Sequence, residues 1–280
     1  MAQTHSVPQV FDRALLRARL SRAQKIGAEE FLLARVAEDM AERLHATLRD
    51  FAEAVDLGTP GTALGAALQA RLPNLRTVPI PDDEHLDLAP QSQQLIVSAL
   101  ALQFVNDLPG VLAQIHAALK PDGLLLAAMI GGETLTELRQ AFAAAEVEIE
   151  GGMSPHVAPL ADLRDIGALL QRARFALPVA DVDRVIVRYG NVFSLMQDLR
   201  RMGAGNILTQ RRRTPLRRAT LLRMAEIYAE RFADPDGRIR ATFDIVWLSG
   251  WSPHESQQQP LKPGSAKFSL EDAVKRRGGK

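Results

Sequence analysis

The sequence contains no cysteine, which excludes disulfides, thiolate metal sites and cysteine nucleophiles. Neither sign of charge is in excess: the formal net charge is +1, so no global field draws the chain to nucleic acid or to an anionic membrane. Long apolar runs are missing too. The longest, Leu95–Leu102 and Leu124–Ile130, fall well short of the roughly 20 residues that a spanning helix needs. Met1–Arg13 lacks the apolar stretch of a secretory signal. A cytoplasmic protein without a membrane span is expected. No internal repeat is found. Two further absences are local: no Asp or Glu lies between Thr62 and Ile80, and none between Leu199 and Ala225.

What is present fits a soluble globular chain. Hydrophobic residues make up 46% and charged residues 24% of 280 residues, enough for one large α/β domain or two small ones. The chain is organised around Glu53–Thr62. Ala54–Leu57 reads as a buried strand, Gly58–Gly61 as a tight loop, and Thr62–Leu72 as an amphipathic helix. That strand-turn-helix unit opens many nucleotide-binding α/β folds, because helix N-terminal amides face a ligand there. Taken alone it fits an ordinary βα turn equally well.

Two helices precede this unit: a basic one over Val10–Ala23, and Phe31–Leu48 with Leu32, Val36, Met40 and Leu44 at helical spacing. After it, Arg76–Pro81 carries two prolines and reads as a short strand near an edge or a strand end. Leu95–Leu102 reads as a buried strand and Leu108–Leu119 as a helix closed by the turn Lys120-Pro121-Asp122-Gly123. Leu124–Met129 is a further strand, followed by a Gly131-Gly132 loop and a helix over Glu133–Ile149. The second half reads as helix Leu160–Arg174, strand Val182–Tyr189, helices near Val192–Met202 and Pro215–Phe232, and a last strand Ile239–Leu248. This order predicts a mostly parallel sheet covered on both faces, ending in an antiparallel pair at one edge.

In open α/β sheets, ligands bind beyond the carboxyl ends of the strands. Four such ends carry suggestive residues: Gly58–Gly61, Asp82-Asp83-Glu84, Gln103–Asp107 and Ile130–Glu133. Each also has a structural reading, as a turn glycine, a helix cap or a solvated loop.

The stretches Val-Asp-Leu-Gly, Asp-Asp-Glu-His-Leu, the run from Leu95 to Pro109, and Leu-Lys-Pro-Asp-Gly-Leu together resemble the Rossmann-like S-adenosylmethionine-dependent methyltransferases. Gly151-Gly152-Met153-Ser154-Pro155-His156, Asp198–Gly203, Gly250-Trp251 and His254-Glu255-Ser256-Gln257 narrow the resemblance. They point to the branch of the mitochondrial NADH:ubiquinone oxidoreductase (complex I) assembly factor 5. The resemblance spans nearly the whole chain. It implies an α/β fold with a helical N-terminal cap over residues 1–50, a methyltransferase-like domain over 51–250, a helical insert near 191–233 and a polar tail over 251–280. It also implies S-adenosylmethionine at Asp56, Gly58, Gly61, Asp82, Asp83 and Gln103, with the methionine end by the glycines and the adenine near the Asp82 loop. That branch is credited with arginine hydroxylation of a complex I subunit, so a protein partner is expected, possible respiratory-complex subunits included.

The cofactor loop departs from the family pattern. Gly-x-Gly-x-Gly would place glycines at 58, 60 and 62, where this chain has Gly58, Pro60 and Thr62. Pro60 fixes φ and removes an amide donor. The interval from Asp56 to Asp82 is also too short for two strands and two helices. Six strands rather than seven are therefore expected, with Thr77–Asp82 aligned to the family's third strand and no carboxylate left for the ribose hydroxyls. Binding of S-adenosylmethionine is expected to be weak or absent. Two functions follow: an enzyme modifying a protein side chain, or a non-catalytic binding protein that keeps the fold and assists assembly of a respiratory complex. No general base is identifiable from sequence.

Arg200, Arg201, Arg211, Arg212, Arg213, Arg217, Arg218 and Arg223 form a basic run whose ordinary reading is a solvated helix face. An acidic partner surface is the next reading, and nucleic acid is disfavoured because aromatics are not interleaved. His156 and His254 belong to no metal-ligand spacing, so no metal is expected. Ser154 has no recognisable base partner. Trp247 and Trp251 read as core or lid packing.

Overall fold

The computed structural model describes residues 8–257, so all but the first residues of the expected polar tail lie outside the described residues. The first helix, α1 (Arg13–Ile26), starts three residues later than its apolar spacing suggests. Phe11 is held extended by a bridge to Leu208, and the Asp12 amide donates to the Ile207 carbonyl at 2.8 Å. The Asp12 carboxylate then caps the helix by accepting the Leu15 amide at 2.9 Å. A second helix, α2 (Phe31–Ala46), buries Leu32, Leu33, Val36, Ala37, Met40 and Leu44 along one stripe.

Six strands follow: β1 (Ala54–Leu57), β2 (Arg76–Val78), β3 (Gln93–Ala99), β4 (Leu119–Gly131), β5 (Ala176–Tyr189) and β6 (Ile239–Trp251). Between them lie α3 (Ala63–Leu68), α4 (Leu108–Ala118), α5 (Thr136–Glu150), α6 (Leu163–Arg172), α7 (Val192–Arg201) and α8 (Arg218–Phe232). The sheet runs β2-β1-β3-β4-β6-β5. The first four strands are parallel, while β6 is antiparallel to both β4 and β5. The mixed six-strand sheet with its antiparallel edge pair is the one expected from sequence.

The shortened interval after β1 takes its toll at the sheet edge. Thr77, aligned from sequence with a third strand, pairs instead with Asp56 of β1, so β2 occupies the second-strand position. In the doubly wound order 3-2-1-4-5-6 it is the outermost strand that is missing. A second difference concerns Lys120–Gly123. Asp122 does adopt a positive φ of 62°, as a turn requires, but the segment is a bulge inside β4. Pairing passes from Gln93–Leu119 to Leu95–Leu124 across it.

Side chains alternate between two cores. Leu95, Val97, Ala99, Leu126 and Ala128 face α2, α3, α5 and α8, whereas Val55, Ile96, Leu125 and Met129 face α4 and α6. Phe11, Leu16, Ile207 and Leu208 make a third, small cluster that seats α1 beside the chain after α7. Helices α1 and α7 thereby lie over the carboxyl ends of the parallel strands.

Candidate functional site

A cavity of about 690 Å³ opens at those strand ends. This falls within the range of small-molecule and side-chain pockets. Its floor includes Gly58 and Pro60 after β1, Ile80 after β2, Leu100, Ala101, Gln103 and Phe104 after β3, and Ile130 of β4. Its roof comes from α1 and α7, and its remaining wall from α5 and the loop carrying His156 and Val157. Leu100 and Leu135, both lining the cavity, hold positive φ values of 53° and 54°. Their amides are fixed by the carbonyls of Ala128 and Thr242, each at 2.8 Å.

The residues expected from sequence divide into two groups. Gly58 and Gln103 reach the cavity; Asp56, Gly61, Asp82 and Asp83 do not line it. Gly58 has φ +74°, and a Cβ there would come within 2.9 Å of two Ile80 carbons. Its lack of a side chain thus serves packing against Ile80 as well as the turn. Gly61 has φ +69°, and its open side is taken by the Glu30 carboxylate. Gln103 donates to the Leu100 carbonyl at 2.7 Å, which leaves its Oε1 buried without a partner.

Asp56 is buried beneath the loop, with Thr59 and Thr77 beside its carboxyl and one oxygen, Oδ1, without a partner. Burial pushes its carboxyl up to about 6 against the opposing hydrogen bonds. The Thr59 hydroxyl also accepts the Ala99 amide at 2.9 Å, so this aspartate braces the β1–β3 ends from below.

The acidic loop after β2 plays a different part from the one expected. Asp82 pairs with Arg17, and Asp83 accepts the His85 amide at 3.2 Å. Both line a separate polar pocket of about 190 Å³ with Glu84, Asn106 and Asp107. Glu84, at a positive φ of 58°, accepts the amides of Asn106 and Asp107 at 2.6 and 2.7 Å and so ties this loop to the start of α4. Between this loop and the cavity stands Arg13. Its guanidinium donates to the carbonyls of Ile80 at 2.8 Å, Pro81 at 3.3 Å and Phe104 at 3.2 Å. Nothing in the sequence singles out this arginine, because its partners are backbone carbonyls more than sixty residues away.

Sequence reasoning also missed a cluster in the far wall. Glu146 of α5 is 2% exposed and accepts three hydrogen bonds: Ser154 hydroxyl and amide, each at 2.6 Å, and His156 Nε2 at 2.8 Å. Burial, the largest influence on Glu146, favours the neutral acid, but the Ser154 and His156 hydrogen bonds outweigh it and hold the carboxyl below its usual value. The His156 ring stacks on Phe142 at 3.9 Å between centroids and 10° between planes. The signal was the Gly151-Gly152 pair. Gly151, at φ +74°, ends α5 in the left-handed cap and turns the chain back along the helix.

Half of the basic run is neutralised from within, Arg201 pairing with Glu29 at 3.1 Å. Arg211 pairs with Asp12 at 3.2 Å, Arg212 with Glu150 at 2.6 Å, and Arg223 with Glu148 at 2.7 Å. Arg213, Arg217 and Arg218 have no ion pair among the described residues. Trp247 is buried in the core beneath the Arg43 guanidinium, which lies 4.2 Å from its ring centroid. Among the described residues no group of three or more His, Asp or Glu side chains is placed to hold a metal ion.

Tested against the cofactor implied by resemblance, the residues fit only in part. Gly58 borders the cavity and is available to a ligand, whereas the unpartnered Gln103 Oε1 is buried. No carboxylate at the end of β2 faces the cavity, and Arg13 holds the Ile80, Pro81 and Phe104 carbonyls on the side assigned to the adenosine.

A methyltransferase-domain family profile matches residues 41–127. The chain is 37% identical to the mitochondrial arginine-hydroxylase NDUFAF5 of Danio rerio over 95% of this chain and 90% of that protein. It is 33% identical to a malonyl-[acyl-carrier protein] O-methyltransferase of Laribacter hongkongensis over 90% of this chain and 94% of that one. The fold is similar to the crystal structure of a methyltransferase from Bacillus halodurans, with a TM-score of 0.51 at 13% identity, covering 77% of this chain and 99% of that one.

Proposed function

Because the chain belongs to the S-adenosylmethionine-dependent methyltransferase family and is related within it to NDUFAF5, we propose that it acts on a protein partner during assembly of a respiratory NADH dehydrogenase. In this reading a side chain of the partner enters the cavity between α1, α7 and the strand ends, and the site binds S-adenosylmethionine weakly or not at all. The observation that supports this reading is Arg13, whose guanidinium binds the Ile80, Pro81 and Phe104 carbonyls on the side that the resemblance assigns to the adenosine. A carboxylate holding ribose hydroxyls contributes roughly 1.5–3 kcal/mol per hydrogen bond, so losing one such bond lowers affinity about tenfold to a hundredfold.

The resemblance supports the partner: the relatives are named for arginine hydroxylation, and their branch assists complex I assembly. No helix among the described residues is long and apolar enough to cross a membrane, and the proposal places the work in the cytoplasm. The NDUFAF5 relative is mitochondrial by name. The test is mass spectrometry of NADH dehydrogenase subunits from cells with and without the protein. A side-chain modification that disappears with the protein supports an enzyme.

A second reading has its own observation. Arg13 and the buried carboxylate of Asp56 are both spent on holding the strand ends together, as suits a non-catalytic chaperone of the same partner. Unmodified subunits combined with stalled assembly in the deletion strain would favour it.

A further inference from the structure

We propose that His156 is a proton acceptor facing the cavity, positioned by Glu146, for an N–H or O–H group on the side chain that enters. This rests on the preceding reading that the cavity receives a partner's side chain.

An ionised carboxylate only accepts hydrogen bonds. Glu146 Oε1 lies 2.6 Å from Ser154 Oγ and 2.8 Å from His156 Nε2. The single hydroxyl proton of Ser154 goes to Glu146, so towards the imidazole, at 3.2 Å, Ser154 Oγ acts as an acceptor. Both neighbours of Nε2 therefore accept, and Nε2 carries the proton. That fixes the tautomer: in the neutral ring, the lone pair is on Nδ1.

Nδ1 has no hydrogen-bond partner among the described residues, and the ring forms part of the cavity wall. Two constraints fix where it points. Glu146 sets the direction of Nε2 and the Phe142 face sets the plane. The loop is pinned as well, since Asn206 Nδ2 donates to the Pro155 carbonyl at 2.6 Å. The charged groups around the pair are Glu146 itself, Arg212 at 3.6 Å from its Oε1, and Glu150, which Arg212 also holds at 2.6 Å.

A ring needed only to anchor the loop would require Nε2 alone. This one presents an unused base to a cavity whose wall is mostly apolar. In the step proposed, the X–H bond of the incoming group breaks and its electron pair stays on X. The proton bonds to Nδ1, and the imidazolium charge is balanced through Nε2–H by Glu146. No electrons are transferred to or from the ring. Glu146 is a positioning residue, because it acts only through His156.

The experiment has two readouts on the full chain. The first is the tautomer of His156 by long-range proton–nitrogen NMR, assigned with His156→Gln and read in wild type and Glu146→Gln. The expected result is a neutral ring in wild type that carries its proton on Nε2 and none on Nδ1, with that preference lost in Glu146→Gln. A protonated Nδ1 in wild type, or a tautomer unaffected by Glu146→Gln, overturns the proposal whatever the protein's activity.

The second readout is modification of NADH dehydrogenase subunits in a deletion strain carrying wild type, His156→Gln or His156→Gly. Gln keeps a donor for Glu146 but supplies no base. Its modification rate is expected to fall about 10²–10⁴-fold with the thermal midpoint little changed, and added imidazole is expected to restore part of the rate in His156→Gly. Undiminished modification by His156→Gln overturns the proposal while leaving the partner-directed enzyme standing. Absence of modification with wild type removes that enzyme, and the proton-transfer step falls with it; the NMR result then still reports the tautomer independently.

Discussion

Replacing Asp56 by Asn should stabilise the protein at neutral pH, and the gain should vanish in acid. The carboxyl is 3% exposed, one of its oxygens lacks a partner, and it titrates at about 6 in the fold against an ordinary 3.8. Between those two values the folded chain holds a proton that the unfolded chain has released. Linkage then requires stability to fall as pH rises through that window. The interval, at about 1.36 kcal/mol per pH unit, amounts to about 3 kcal/mol fully expressed above pH 6 and absent below pH 3.8. Asn keeps a carbonyl to accept from Thr59 and Thr77 but has no charge to desolvate. Urea titrations of both proteins from pH 4 to pH 8 isolate the effect, since other titrating groups cancel in the difference. The variant should gain roughly 1–3 kcal/mol over wild type at pH 7.5 and little at pH 4. A difference that does not change with pH, or that favours wild type more strongly as pH rises, refutes the assignment of a buried, raised carboxyl.

Three other outcomes follow from the same geometry. Gly58→Ala, at φ +74° with its Cβ 2.9 Å from Ile80, should lose about 1–3 kcal/mol, whereas Gly65→Ala, helical and open, should gain about 0.5–1; thermal midpoints compare them. Arg184→Ala strips Asp244 of bonds at 2.7 and 2.8 Å and should cost roughly 1–3 kcal/mol at pH 7, discounted for the exposed arginine. Burial raises the Asp244 carboxyl, but Arg184 and the Glu133 amide bring it below its usual value, so the contribution is lost as pH falls through the folded value and acid denaturation should narrow the gap. Reversing Arg213, Arg217 and Arg218 to Glu should weaken capture of an acidic assembly partner at low salt without lowering the thermal midpoint, while Arg212→Ala, which breaks the bond to Glu150, should lower it.

The alternation of strands and helices was readable because buried strands and amphipathic helices have different periods, and six strands could be inferred from the short Asp56–Asp82 interval alone. Position at the candidate site was legible where it follows from the backbone: Gly58 and Gln103 come to the cavity because they follow strand ends. What escaped depends on contacts distant in sequence. Arg13 looked like one more residue on a basic helix until the carbonyls of Ile80 and Phe104 came to meet it. The arginines after Leu199 looked free because their acids, Glu148 and Glu150, lie on another helix. Asp82 and Asp83 fit a ligand-binding loop by position, but Arg17 and the local turn consume them. Glu146 and His156 are ten residues apart and become a pair only because Gly151 reverses the chain.

Calorimetric titration of the full chain with S-adenosylmethionine and S-adenosylhomocysteine bears most directly on the central claim, a family fold whose cofactor site has been given over to Arg13. No heat of binding, or a dissociation constant weaker than about 1 mM, is the predicted result. A dissociation constant of about 1 µM or tighter for either ligand contradicts it and returns the site to the cofactor-dependent enzymes.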